Sequence, residues 1–164
     1  MGSCLSIPNA PVVYSNPEMR VAGEVVRQLG VLNSAITKEK MLMEGCKNTA
    51  TDLLQAISGK ANSFEDVLNL ALLTEQLDVM INVLNPVKET VMELVSAATN
   101  ERREFETRFL AHQPPNRTLD GVRMIQSAAN SLSPDLYSTV QASARIRNTA
   151  DAVVGVLGAR YSNH

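Results

Sequence analysis

Tryptophan is missing from this chain, and 164 residues include only three phenylalanines and three tyrosines. With so few rings to stack bases, and a net charge of −2 in place of a basic surface, a nucleic-acid partner is not expected. Histidine is as scarce: His112 stands beside a proline linker and His164 closes the sequence. Two isolated imidazoles build neither a His-rich zinc site nor a paired-histidine helix motif, so no metal centre is expected. The two cysteines, Cys4 and Cys46, are far apart in different kinds of segment, which argues against a disulfide framework and for a reducing compartment.

Long apolar runs are lacking too. Asn69, Thr74, Asp78 and Asn82 interrupt the apolar stretches near Val67 and Val79 well before the roughly 20 residues that a bilayer span requires. The stretch from Met1 to Arg20 has no charged start leading into an apolar core, and Pro8, Pro11 and Pro17 stand where a secretory signal would be. Glycines stand singly: Ser58-Gly59-Lys60 has neither the earlier glycine nor the following hydroxyl of a phosphate-binding loop. No cofactor and no small-molecule substrate is suggested.

What the sequence does have is 45% hydrophobic and 20% charged residues, the balance of a chain that folds around a core of its own. Its length suits one domain.

The sharpest local signal is Met1-Gly2-Ser3-Cys4-Leu5-Ser6, which fits the myristoylation pattern M-G-x-x-x-[ST] at every specified position. Removing Met1 frees the Gly2 amine as acceptor, and Ser6 completes the recognised segment. One myristoyl chain binds bilayers with a partition constant on the order of 10⁴ M⁻¹, too weak for stable attachment without a second signal. Glu18 and Arg20 are the only charged side chains up to residue 20, so a polybasic patch is excluded and Cys4 is the expected palmitoylation site. The opening resembles the N-termini of G-protein alpha subunits, several Src-family kinases, and acylated plant-pathogen effectors and viral proteins, over about six residues. That resemblance implies an anchor and no activity. Reading Met1-Gly2-Ser3 as an expression scar leaves Ser6 unexplained. Residues 7–16 carry proline, asparagine and serine without helical periodicity, so 1–16 is expected to be a flexible acylated tail and 17–164 a helical domain.

Asn16-Pro17-Glu18 is a helix-start signal. Beyond it Ala22, Val25, Leu29, Leu32, Ile36, Met43, Cys46, Ala50, Leu53 and Ile57 recur at spacings of three and four, with Glu39 filling the one gap. Gly30 and Gly45 each weaken a helix by roughly 1 kcal/mol, so the pattern predicts one long heptad-like helix with a defect, with two helices meeting near Lys38 to Lys40 as the alternative. Ser58-Gly59-Lys60 breaks it, and Ser63 with Asp66 forms a capping-box-like restart. Val67, Leu68, Ala71, Leu77, Met80, Ile81 and Leu84 mark the next apolar face. Asn85-Pro86 is expected to end or kink that helix, and a further arm through Val91, Ala98, Phe105 and Phe109 reaches His112. After the 113–117 linker, Thr118 caps a shorter helix, and Ser133-Pro134-Asp135 signals a last one ending near Gly158. The fold class is all-α: an antiparallel multi-helix bundle of five or six helices.

Candidate chemistry is thin. Cys46 falls on the apolar seam, as a small buried hydrophobe would. The run Glu101–Arg108 mixes both signs and reads as a solvated helix face with Phe105 and Phe109 turned inward. Arg145, Arg147 and Arg160 form a weak basic cluster able to touch an anionic leaflet. Met41, Met43, Met80, Met92 and Met124 read as core filling, and Asn116-Arg117-Thr118 as a chance glycosylation match.

The expected function is therefore non-enzymatic: a helical interaction protein (adaptor, assembly factor, viral protein or effector) held on the cytosolic face of a membrane by its lipid anchor. Its helices would recruit a protein partner or self-associate. The competing readings are a membrane-remodelling bundle and a soluble structural oligomer whose N-terminal motif is unused.

Overall fold

Pro17 opens the first helix, in the position where its fixed φ suits a helix and its missing N–H is no loss. The computed structural model describes residues 17–60, 62–111 and 118–162. Over these the fold is an all-α antiparallel bundle of three helices packed against each other, without a strand among the described residues. Helix α1 runs Pro17–Ile57, α2 Phe64–Leu110 and α3 Thr118–Ser162. Asn16, the 113–117 linker and the side chains of Thr118 and Leu119 lie outside the described residues.

The bundle has three helices where five or six are expected, because neither proline interrupts its helix: Pro86 lies inside α2 and Pro134 inside α3. Both prolines are exposed, so their rings stand on the solvent side, where helix carbonyls tilt outward most easily. An interior proline costs about 3 kcal/mol, whereas burying each Leu or Val side chain gains roughly 1.5–3 kcal/mol. Leu84 and Val91 are buried on either side of Pro86, and Ala129 and Leu136 on either side of Pro134. An uninterrupted buried stripe therefore outweighs the local break.

The first helix matches its periodicity closely. Every apolar position named for α1 is buried except Leu53, which is half-buried, and Glu39 in the gap is itself only 6% exposed. The helix ends where Gly59 takes a left-handed conformation, φ +85°, that a Cβ would oppose. The Ser58 N–H donates to the Leu54 carbonyl (3.0 Å) and the Lys60 N–H to that of Ile57 (3.2 Å). Helix α2 restarts at Ser63 as expected, the Ser63 carbonyl accepting from the Val67 N–H at 2.7 Å. The capping box takes a different form, however. The Ser63 hydroxyl turns back to the Lys60 carbonyl (2.6 Å) and lies 2.9 Å from that of Ile57, while Asp66 is drawn to α3.

By contacts the chain divides into two units, and each helix contributes to both. Unit 1 (Met1–Asn33 and Glu89–Pro134) buries Met19, Val25, Leu29 and Leu32 of α1, Val91, Ala98 and Phe105 of α2, and Val122 and Ala129 of α3. Within it Met19 packs on Phe105, with Phe109 against the pair. Unit 2 (Ser34–Lys88 and Asp135–His164) has one apolar core built from Met43, Cys46, Ala50 and Ile57, from Leu70, Leu73, Leu77, Ile81 and Leu84, and from Ala150 and Leu157. Side-chain pairs fix the directions in unit 2. Lys47 meets Asp78, Asp66 meets Arg160, and Glu39 meets Arg147. Helix α2 therefore runs against α1 and α3, which run alike.

Candidate functional site

The lipidation positions Gly2, Cys4 and Ser6, with the whole 1–16 tail, lie outside the described residues, as do His112 and His164. The ion pairs that can be placed among the described residues fall mainly in unit 2, where three of four tie one helix to another.

Glu39 projects from the buried seam of α1, and Arg147 reaches it from α3. The arginine Nε donates to Oε1 at 3.0 Å and Nη2 to Oε2 at 3.3 Å, the bidentate arrangement in which a guanidinium best matches a carboxylate. Hydrogen bonding to Glu39, more than any other influence, raises the Arg147 pKa further. Beside the pair, the Cys46 Sγ lies 4.0 Å from the Arg147 carbonyl. Burial first, and then the Asp151 carboxylate, push the Cys46 thiol up to about 12. A thiol held protonated in this way packs as a small apolar side chain, in keeping with its place on the seam.

A second cluster closes the other end of the same unit. The Arg160 Nη1 donates to both Asp66 oxygens, at 2.9 and 2.8 Å, and the Tyr161 hydroxyl donates to Oδ2 at 2.7 Å. The Tyr161 bond, followed by that of Arg160, lowers the Asp66 pKa, and the same contact raises that of Tyr161. Lys60, in the α1–α2 turn, stands 5.5 Å above the Tyr161 ring in a cation–π contact. The basic cluster expected at Arg145, Arg147 and Arg160 is thus not a shared patch, because two of its members are paired to acids inside the unit.

In unit 1 the charged run behaves as expected. Arg108 donates to Glu104 one turn away (3.1 and 3.2 Å), Phe105 is buried and Phe109 half-buried. Only Met43 and Met80 of the five named methionines fill the interior; Met41, Met92 and Met124 are exposed.

The feature that the sequence reading missed is the outer face of α2. Phe64 is 82% exposed, Leu68 49%, Leu72 51%, Val79 55% and Val83 42%, whereas Leu70 and Leu73, absent from the expected face, are buried. An 18-residue stretch of this helix has a mean hydropathy of 1.4, long and apolar enough by composition for a bilayer span, yet only 28% of it is buried. Periodicity located one apolar face; the helix has two. Alongside it a cavity of about 160 Å³ is lined by Leu73 and Gln76 of α2 and by Arg145, Ile146 and Thr149 of α3. No group of three or more His, Cys, Asp or Glu side chains able to hold a metal ion occurs among the described residues.

Compared with family models, curated proteins and solved structures, the chain matches none. Its class is given by its own fold, an all-α antiparallel bundle of three long helices.

Proposed function

We propose that the protein is a non-enzymatic helical interaction protein, held on the cytosolic face of a membrane by a myristoyl group on Gly2 and a palmitoyl group on Cys4. The observation that carries this reading is the six-residue motif Met1-Gly2-Ser3-Cys4-Leu5-Ser6. The bundle supports it from another side. Its Glu39–Arg147, Lys47–Asp78 and Asp66–Arg160 pairs join helix to helix, and its uncommitted surface is an apolar helix face of the kind that marks binding sites. Two acyl chains supply the attachment that one cannot, and the helices are left to recruit a partner.

Intact-mass analysis of the natively expressed protein, with and without hydroxylamine, tests the anchor. An amide-linked myristate resistant to hydroxylamine on Gly2 and a labile thioester on Cys4 are expected. Gly2→Ala should move the protein from the membrane to the cytosolic fraction with its helical content unchanged. Membrane fractionation that survives this substitution removes the proposal.

A further inference from the structure

On the outer face of α2 in unit 2, Phe64, Leu68, Leu72, Val79 and Val83 are all exposed. With Glu75 they form the series 64, 68, 72, 75, 79, 83, spaced four, four, three, four and four. This is the three-and-four spacing of a packed helical seam, and it covers an arc of about 100°, the width of a stripe that normally faces another helix. Its 20 residues extend about 30 Å along the axis. The buried residues Leu70, Leu73, Leu77, Ile81 and Leu84 occupy the opposite side of the same helix, so α2 already satisfies the bundle without this second stripe.

The second stripe, like the first seam, carries an acid among its apolar residues. In α1 the apolar series is broken once, by Glu39, and that acid is met by Arg147 from the helix packed over it. In α2 the outer arc carries Glu75 among its apolar residues, exposed and making no ion pair among the described residues, and the exposed Asn82 falls in line with Phe64 at its edge. Residues 64–87 of α2 hold no lysine or arginine, and the adjacent Glu65 adds a further exposed acid.

We propose that this face is the docking site for an amphipathic helix of another protein, one that lays apolar side chains along the stripe and presents an arginine or lysine to Glu75. The inference rests on the reading of the bundle as an interaction protein and is independent of the lipid anchor. Charge selects this occupant. An antiparallel second copy would place its centre between residues 73 and 74 and bring two Glu75 carboxylates together, which repel. An anionic leaflet attracts basic segments, and this face offers acids only. A basic amphipathic helix satisfies both the apolar area and the acid, completing a four-helix arrangement by the helix-on-helix mode of recognition.

The test uses the full chain carrying Gly2→Ala, so that no acyl group contributes. The probes are two synthetic helices of about five turns, with leucines at three-and-four spacing and either an arginine or a glutamate at the centre, titrated by fluorescence anisotropy. The arginine helix should bind at least about tenfold tighter than the glutamate helix, and Glu75→Arg should reverse that order. Glu75→Gln should shrink the preference, and Leu72→Asp with Val79→Asp should abolish binding. These positions face solvent, and an unchanged helical circular dichroism spectrum verifies that each variant is folded. Equal affinity for the two helices, binding of neither, or binding that survives Leu72→Asp with Val79→Asp overturns the proposal. So does self-association in sedimentation, or flotation with phosphatidylcholine vesicles, if Leu72→Asp removes it; the first assigns the face to a second copy and the second to a bilayer. Failure of the anchor appears separately, as a missing acyl mass on Gly2.

Discussion

Glu39 on α1 and Arg147 on α3 share two parallel hydrogen bonds of 3.0 and 3.3 Å in a site where the acid side chain is 7% and the arginine 19% exposed. The pair sits in a row of apolar residues, so its desolvation costs about as much as its attraction returns, and its removal must be judged partner by partner. Glu39→Ala leaves a guanidinium without its acid and should lower stability by about 3–5 kcal/mol. Replacing both residues by leucine should recover most of that loss. Urea denaturation of Glu39→Ala and of the double-leucine variant measures it; a loss under about 1 kcal/mol in Glu39→Ala would show that the pair is not desolvated.

Burial of Cys46 predicts a kinetic result. With its thiol pushed up to about 12, the fraction present as thiolate near neutral pH should be smaller than in the unfolded chain on the order of a thousandfold or more. In a Cys4→Ser background, iodoacetamide should modify Cys46 slowly in the native protein and quickly in urea. The raised value favours the protonated thiol, so its contribution to stability is complete below about pH 8.5 and falls away as pH rises toward the folded value. Equal native and denatured alkylation rates would contradict the burial.

The Asp66–Tyr161 contact predicts two pH limbs. Asp66 titrates below its ordinary range when folded, so it stabilises the fold above about pH 3.9 and loses this effect as pH falls through the folded value. Tyr161 titrates above its ordinary range, so its contribution is complete below about pH 10 and is lost as pH rises through the folded value. Asp66→Asn should weaken both limbs in a plot of urea midpoint against pH. A change confined to the acid limb would show that Tyr161 gains nothing from the carboxylate.

Two glycines should respond in opposite directions to alanine. A Cβ at Gly45 meets nothing within 4 Å, so Gly45→Ala should stabilise α1 by up to about 1 kcal/mol through helix propensity alone. Gly59 also has open space but holds φ at +85°, so Gly59→Ala should cost about 1–2 kcal/mol. Thermal melts of the two variants should bracket the parent.

Period and caps made much of this fold legible. The seam of α1 is readable residue by residue because three-and-four spacing has one structural solution, and the restart at Ser63 follows from a glycine turn before an apolar run. Pro86 and Pro134 were misleading because a proline at a helix start and a proline inside a helix have the same local sequence; the difference is whether the buried stripe continues in phase, as Leu84 to Val91 and Ala129 to Leu136 do. The partners of Glu39 and Asp66 lie 108 and 95 residues away, beyond any local pattern. The second face of α2 was concealed for a related reason: Leu68 and Leu70 are both leucine, and only packing tells which one the core takes.

The position of Glu39 also limits how the helices can be aligned. In an all-apolar seam, α3 sliding along α1 by seven residues would exchange one aliphatic contact for another at little penalty. Here the slide would bring Val140 or Val154 to the carboxylate in place of Arg147, stranding an acid against an aliphatic side chain and a guanidinium elsewhere. One polar residue in the row thus acts as an alignment mark, leaving a single axial setting out of several that hydrophobic packing would accept.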